Sequence, residues 1–387
     1  MSVPAAETPT ASLRAERLWT IDALRGVAAL GVVMFHASDV PGMDRSGPIG
    51  WVLDGILTWG RYGVWLFFVL SGFCIHMRWA SRAASGDRSV PGFVEFWKRR
   101  FRRLYPPYLI ALLIFVAFRL AMGVEDVAKF GRDFVLHLLL IQNNVAGSSY
   151  AFNEVFWTLA IEEQLYLLYF VFLAVRIRYG WRAALLFGLG ARVGWFALAF
   201  ALRRTLGWEL VVTQMAVVQW IIWILGALSV EIWFGLVRVP KLLHSAWIGS
   251  ALLVAAAVAS HYYMYVLPDG LPRDVLWLTS DLVWGAAFFV LLNASVGREA
   301  RPAGWFGKWL AGVGLWSYSL YLTHELITHV PWRLRLGADV LAWIQHWPSV
   351  VLIPLLTIAS MLLARAYFAW FERPFLSASR TRRVSQH

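Results

Sequence analysis

The sequence contains little charge and almost no cysteine. Only 15% of its 387 residues are charged, whereas soluble domains carry about a quarter. The single cysteine, Cys74, excludes an intramolecular disulfide bond. The chain also lacks a zinc-ligand run, a phosphate-binding P-loop, a GxSxG motif and a glycine-rich dinucleotide motif. Metal, nucleotide and serine-hydrolase chemistry therefore have no support in the sequence, and the low charge argues against a soluble domain.

Long apolar runs dominate what is present. The chain is 59% hydrophobic, and stretches of about 20 apolar residues, enough to cross a bilayer, recur along it. This pattern predicts an all-α polytopic membrane protein with about ten transmembrane helices in one bundle. Residues 132–142 are apolar but short, so we expect an interfacial or re-entrant segment there. The predicted spans are 18–38, 57–78, 104–122, 157–175, 182–202, 209–235, 246–266, 275–295, 310–330 and 349–371.

Basic residues concentrate in alternate connections between these spans. Residues 78–103 carry eight Lys and Arg, whereas 39–56 carry one and 123–156 carry two. Because cytoplasmic loops are enriched in Lys and Arg, we expect a multi-pass protein of the cell inner (plasma) membrane with both termini cytoplasmic. The net charge of +12 then reflects topology and predicts no nucleic-acid partner. We divide the chain into a disordered N-terminal tail (1–15), an integral membrane domain (16–375) and a basic C-terminal tail (376–387).

The first predicted span carries Arg25 and His36 inside an apolar run. The two are eleven residues apart, which places them on nearly one helix face, about 16 Å apart along the axis. A charge inside a bilayer helix costs on the order of 2.5–3.5 kcal/mol, so such residues usually face a bundle interior and carry function. A histidine that titrates near neutral pH suits general-base work on a hydroxyl. The pair predicts a reaction or transport path within the bundle.

A cluster of five cations follows in KRRFRRLYPP at 98–107. Arg99 with Arg102, and Arg100 with Arg103, form two pairs at i,i+3 spacing, so each pair shares one side of a helical turn. Arginine binds phosphate oxygens through two hydrogen bonds at once. The cluster is therefore either a binding site for a phosphorylated ligand or an ordinary positive-inside signal.

Two adjacent carboxylates lie in FWTLAIEEQLYLLY at 156–169. Glu162 and Glu163 point about 100° apart on a helix, so they cannot both face lipid. We expect at least one to pair with Arg25, His36 or another polar group in the bundle.

A last polar segment contains several hydroxyl side chains close to His324 and Glu325 in one predicted span. Its sequence is LWSYSLYLTHE at 315–325. Hydroxyls between membrane helices often serve only as packing contacts. This segment is therefore either part of a site or a helix contact.

Taken in order, these segments resemble the membrane acyltransferase 3 family, which transfers acyl groups to hydroxyls of glycans and related acceptors. The resemblance covers about residues 18–375, nearly the whole chain. Its runs are IDALRGVAALGVVMFHA, GVWLFFVLSGFCI (63–75), KRRFRRLYPPYL, FWTLAIEEQLYLLYF, SYSLYLTHE and FERPF (371–375).

The resemblance implies acyl-CoA as a cytoplasmic co-substrate, no cofactor or metal, and catalysis inside the bundle. The register within the overlapping R-x-x-R pairs is ambiguous. His324-Glu325 departs from the His-x-Pro often found there, which weakens a catalytic role for His324. The implied catalytic residues are His36, Arg25, Glu162 and Glu163, and the implied substrate-binding residues are Arg99, Arg100, Arg102, Arg103, Ser71, Tyr318 and His324.

The expected activity is O-acylation of a cell-surface or lipid-linked glycan, with acetyl as the default acyl group. His36 would be a general base or a covalent acyl carrier, with Arg25 stabilising developing negative charge. The partners are acyl-CoA, a hydroxyl acceptor and the bilayer. Acylation of a small secondary metabolite such as a macrolide is the alternative acceptor class. A proton-coupled transporter is the alternative from another class, but it predicts internal repeats that the sequence lacks.

Overall fold

The computed structural model describes residues 18–40, 56–296, 304–330 and 347–376, and within these ranges it is helical without a strand. The predicted tails 1–15 and 376–387, apart from Leu376, lie outside the described residues. The α-helices are α1 (Trp19–Ser38), α2 (Gly63–Ala84), α3 (Phe93–Ala121), α4 (Val127–Leu138), α5 (Phe156–Leu206), α6 (Ala216–Trp233), α7 (Ala246–His261), α8 (Leu271–Val296), α9 (Trp305–Leu315), α10 (Ser317–Thr323), α11 (Glu325–Thr328) and α12 (Ser349–Tyr367).

Eight helices of the described ranges are long and apolar enough to cross a membrane. This confirms the all-α polytopic membrane class, while the count of ten spans and the placement of the termini stay predictions. The element α5 consists of two helices joined at a kink, and they contain the predicted spans 157–175 and 182–202. Gly180 interrupts it with φ 83° and ψ −175°, a backbone conformation open to glycine because it has no Cβ.

The predicted span 310–330 is broken into α9, α10 and α11. The chain leaves the helix at Trp316 (φ −116°, ψ 20°), and near the start of α10 the carboxylate of Glu372 accepts from both the backbone N–H (3.2 Å) and the hydroxyl (2.5 Å) of Ser319. The first N–H groups of a helix have no partner within the helix, and in a membrane such groups must be satisfied by protein. Glu372, from the FERPF run, thus makes this break possible.

The short apolar segment predicted at 132–142 coincides largely with α4, a helix of 12 residues. At about 1.5 Å per residue it is too short to cross a bilayer core. Asp126 caps its first turn by accepting from the backbone N–H of Lys129 at 2.8 Å. An interfacial position for α4 remains a prediction.

Close helix crossings in the bundle depend on glycine. A Cβ on Gly26 of α1 would overlap the carbonyl oxygen of Leu310 in α9, and one on Gly314 would overlap that of Asp22. Membrane helices lack a hydrophobic driving force for association, so small residues that allow backbone contact stabilise their packing. This contact fixes the helix that carries Arg25 and His36 against the broken α9–α10 segment.

Two buried ion clusters join other helices. Glu231 of α6 contacts His76 Nε2 (2.8 Å), Arg176 (2.6 Å) and Trp181 Nε1 (2.8 Å). Arg192 of α5 donates to both oxygens of Asp281 in α8, at 2.7 and 2.9 Å. Buried charges of this kind are stable only when paired and hydrogen-bonded, so both clusters are structural contacts between helices.

Candidate active site

One cavity in the bundle is lined by arginines, and we name it the arginine cavity. Its volume is about 1010 Å³ with its open mouth included. Helices α1, α2, α3, α5 and α10 all contribute to its wall. Three cations from two helices meet there: Arg25, Arg100 and Arg103.

The structure distinguishes the two overlapping arginine pairs. Arg100 and Arg103 line the arginine cavity, whereas Arg99 and Arg102 are exposed on the other side of α3. The Nε atom of Arg103 is buried without a hydrogen-bond partner among the described residues. In the same ranges no carboxylate lies within ion-pair distance of Arg25, Arg100 or Arg103. The cavity therefore presents concentrated positive charge that suits a polyanionic ligand.

The two glutamates occupy different surroundings. Glu162 lines the arginine cavity and accepts a hydrogen bond from the Tyr166 hydroxyl at 2.6 Å. Glu163 does not line that cavity; it borders a smaller void of about 270 Å³ between α3, α5 and Tyr318, which Glu162 borders as well. Neither glutamate lines the space around His36. Of the two partners predicted for the glutamates, Arg25 shares a cavity with Glu162, whereas His36 does not.

Ser71 and Tyr318, two of the predicted substrate-binding residues, lie on the wall of the arginine cavity. Each is already held by a neighbour: Ser71 Oγ accepts from Trp223 Nε1 at 3.3 Å, and the Tyr318 hydroxyl donates to the Leu104 carbonyl at 2.9 Å. These contacts fix the shape of the wall.

A second cavity surrounds His36, and we name it the histidine cavity. Its volume is about 1190 Å³ with its open mouth included. Its lining combines charged groups with aromatic faces, a composition that suits a polar, hydroxyl-bearing molecule: Asp39, Arg61, Glu154, Trp65, Trp157, Tyr150 and Tyr265. None of these was predicted, because most lie in connections or at helix ends that only the fold brings together.

His36 is oriented by its own helix and by a second histidine. Its Nδ1 lies 2.9 Å from the Val32 carbonyl oxygen, so Nδ1 carries the proton and donates it, which leaves Nε2 as the basic nitrogen. His324 Nδ1 lies 3.0 Å from the Leu320 carbonyl in the same way, and its Nε2 lies 3.4 Å from His36 Nδ1. His324 is fully buried and lines neither cavity. Its contact is with His36.

The ligand atoms of His36, His324 and Glu325 come within 4.8 Å of one another, an arrangement that could hold a metal ion. Both carboxylate oxygens of Glu325 already accept the backbone N–H of Glu154, at 3.0 and 3.1 Å. Each histidine donates from Nδ1 to a backbone carbonyl. Within this cluster His324 contacts His36 through its Nε2, and Glu325 holds the backbone before α5.

The two cavities share a wall. Val64 of α2 and Tyr321 of α10 line both. The Tyr321 hydroxyl lies 2.6 Å from Thr158 Oγ1 and donates to the Val155 carbonyl at 3.3 Å. Tyr321 was missed as a site residue, although its i,i+3 spacing from His324 places both on one side of a helix. Arg25, Arg100 and Arg103 thus lie on one side of this shared wall and His36 on the other; we name Val64 and Tyr321 the partition.

Known proteins are similar to this chain. A family model described as an acyltransferase domain matches residues 18–367. The acyltransferase MdmB of Streptomyces mycarofaciens is 26% identical over 351 residues, which cover 87% of this chain and 85% of MdmB. The O-acetyltransferase OatA of Staphylococcus aureus is 29% identical over 158 residues, 38% of this chain and 23% of OatA. No solved structure matches the chain.

Proposed function

The chain belongs to the acyltransferase family whose model covers residues 18–367, and from this we propose that it transfers an acyl group from acyl-CoA to a hydroxyl of a cell-surface or lipid-linked glycan. It is a multi-pass membrane enzyme that transfers groups other than amino-acyl groups. The observation that carries the proposal is that Val64 and Tyr321 form a partition between an arginine cavity and a histidine cavity.

The arginine cavity is the proposed donor site. Coenzyme A carries a diphosphate and a further phosphate, and Arg100 and Arg103 face the space they would fill. Arginine pairs with phosphate through charge-assisted hydrogen bonds. Arg25 lies in the same cavity, about 16 Å along α1 from His36, so we assign it to donor binding and not to the reacting carbonyl. The basic connection at 78–103 favours a cytoplasmic mouth.

The histidine cavity is the proposed acceptor site. Aromatic faces, carboxylates and a guanidinium suit the apolar faces and hydroxyls of a sugar. The name of OatA, an O-acetyltransferase, supports an acetyl group and a hydroxyl acceptor. MdmB, named as an acyltransferase, aligns over 87% of this chain and 85% of its own length, which supports an acyltransferase activity.

The chemical step uses the basic Nε2 of His36. It takes the proton of the acceptor hydroxyl as the hydroxyl oxygen attacks the acyl carbon. The carbon–sulfur bond then breaks, an ester forms, and the CoA thiolate receives the proton. Hydrogen bonds from His36 Nδ1 to the Val32 carbonyl and towards His324 Nε2 stabilise the imidazolium formed on the way.

Purified protein incubated with radiolabelled acetyl-CoA and a panel of acceptors tests this function. The panel holds a lipid-linked sugar, soluble oligosaccharides and a macrolide, so that the glycan and small-metabolite classes are separated. We expect label in a glycan with wild-type protein and none with His36→Ala. Label in the macrolide alone would overturn the glycan assignment, and label in no acceptor would overturn the activity.

A further inference from the structure

The partition between the two cavities is a well-ordered contact between three helices. Tyr321 is 6% exposed, and its hydroxyl is held by Thr158 at 2.6 Å. Its ring packs edge-on against Phe67, with centroids 5.8 Å apart, and lies 6.0 Å from the ring of His324. Val64 is 9% exposed and faces both cavities beside it. A group that crosses this shared wall passes these two side chains.

We propose that Tyr321 and Val64 determine that the acyl group goes to the bound acceptor and not to water. This inference rests on the proposed function, since it takes the arginine cavity as the donor site and His36 as the base. A basic imidazole activates water as well as a sugar hydroxyl. The partition keeps water activated at His36 from the thioester until an acceptor fills the histidine cavity.

The reaction that the partition suppresses is hydrolysis. The oxygen of a water molecule attacks the acyl carbon, and the carbon–sulfur bond breaks. The water proton taken by His36 passes to the thiolate, so the products are a carboxylic acid and CoA thiol. Exclusion of water from a reactive intermediate is a general requirement of transferases. In this protein the Tyr321 ring and the Val64 isopropyl group exclude the water.

The test measures thiol release from acetyl-CoA in the absence of acceptor. Tyr321→Ala connects the cavities, and we expect its thiol release to exceed the wild-type rate by about 100-fold, the low end of what a general base contributes. Tyr321→Phe keeps the ring and loses only the hydroxyl, so its release stays close to wild type. Tyr169→Ala is the matched control, because this tyrosine is also buried but lines neither cavity.

The double variant His36→Ala/Tyr321→Ala separates activated water from simple leakage. If water reaches the thioester through His36, release in the double variant returns to the wild-type level. Release that stays high there, or that rises equally in Tyr169→Ala, overturns the proposal. If Tyr321→Ala is poorly folded, Val64→Ala opens the same partition by a smaller change and must also raise release.

Failure of this inference is distinct from failure of the proposed function. Wild-type protein that labels an acceptor while Tyr321→Ala and Val64→Ala bind CoA normally and hydrolyse nothing refutes the partition and leaves the function. Wild-type protein that labels no acceptor refutes the function, and this inference with it.

Discussion

Replacement of a single arginine tests the donor site most sharply, because α3 offers a matched neighbour. Arg103 faces the arginine cavity, and its buried Nε has no hydrogen-bond partner in the described ranges. Arg102 is next in sequence, carries the same charge and is exposed on the surface of the helix. Arg103→Ala and Arg102→Ala therefore change net charge equally and differ only in where the charge lies.

The expected difference follows from the cost of a lost charged contact. A hydrogen bond to a charged group contributes about 1.5–3 kcal/mol, and each 1.4 kcal/mol is about tenfold in affinity. Arg103→Ala should therefore raise the Kd for CoA by roughly 10- to 150-fold. The exposed Arg102 acts only through a field that salt screens within about 8 Å, so its removal should change the Kd by less than about twofold.

The assay is equilibrium binding of unacylated CoA to detergent-purified protein at two salt concentrations. Thermal unfolding of each variant controls for misfolding. The ratio of the Kd of Arg103→Ala to the Kd of wild type should be smaller for dephospho-CoA, which lacks one phosphate, than for CoA. Equal affinities for the two variants would refute the reasoning and reduce the arginine cluster to a topology signal.

Further expectations concern the glutamates, a buried ion pair and pH. Glu162→Gln should lower the rate of transfer by about tenfold or more, since it removes the carboxylate that shares a cavity with the cations. Glu163→Gln should lower the rate only mildly in the same assay. Two mild results would exclude a role for the pair. Asp281→Asn should lower the free energy of unfolding by about 3–5 kcal/mol, because it leaves Arg192 buried without its counter-charge. When both residues are replaced by leucine, thermal unfolding should show a smaller loss. Transfer by wild type should fall once acidification protonates His36, since an imidazolium accepts no proton. A rate that does not fall at any acid pH at which the protein stays folded would contradict this.

The membrane class was predictable because it depends on composition and on the length of apolar runs, both local properties. Arg25 and His36 were predicted to face the bundle interior for the same reason: the cost of a charge in lipid is set by the residue itself. The break at Trp316 was not predictable, because it depends on a carboxylate, Glu372, more than 50 residues later. A charged residue at the end of the last apolar run was the only local signal.

The composition of the acceptor cavity could not be predicted either. Arg61, Glu154 and Tyr265 lie in separate connections or turns, and no spacing rule relates them. Within the arginine cluster the spacing gave two equivalent pairs, and only the rotation of α3 against α1 and α5 selects Arg100 and Arg103. Periodicity identifies shared faces, whereas tertiary packing determines which face borders a cavity.

The central claim is that binding of the donor and chemistry on the acceptor are separate functions of the two cavities. The most direct test measures CoA affinity and single-turnover transfer in the same preparations of His36→Ala and Arg103→Ala. We expect His36→Ala to bind CoA as wild type does while transfer falls by about 10²–10⁴-fold, the contribution of a general base. Arg103→Ala should lose affinity and recover transfer at saturating acyl-CoA. Near-normal transfer by correctly folded His36→Ala would contradict the account.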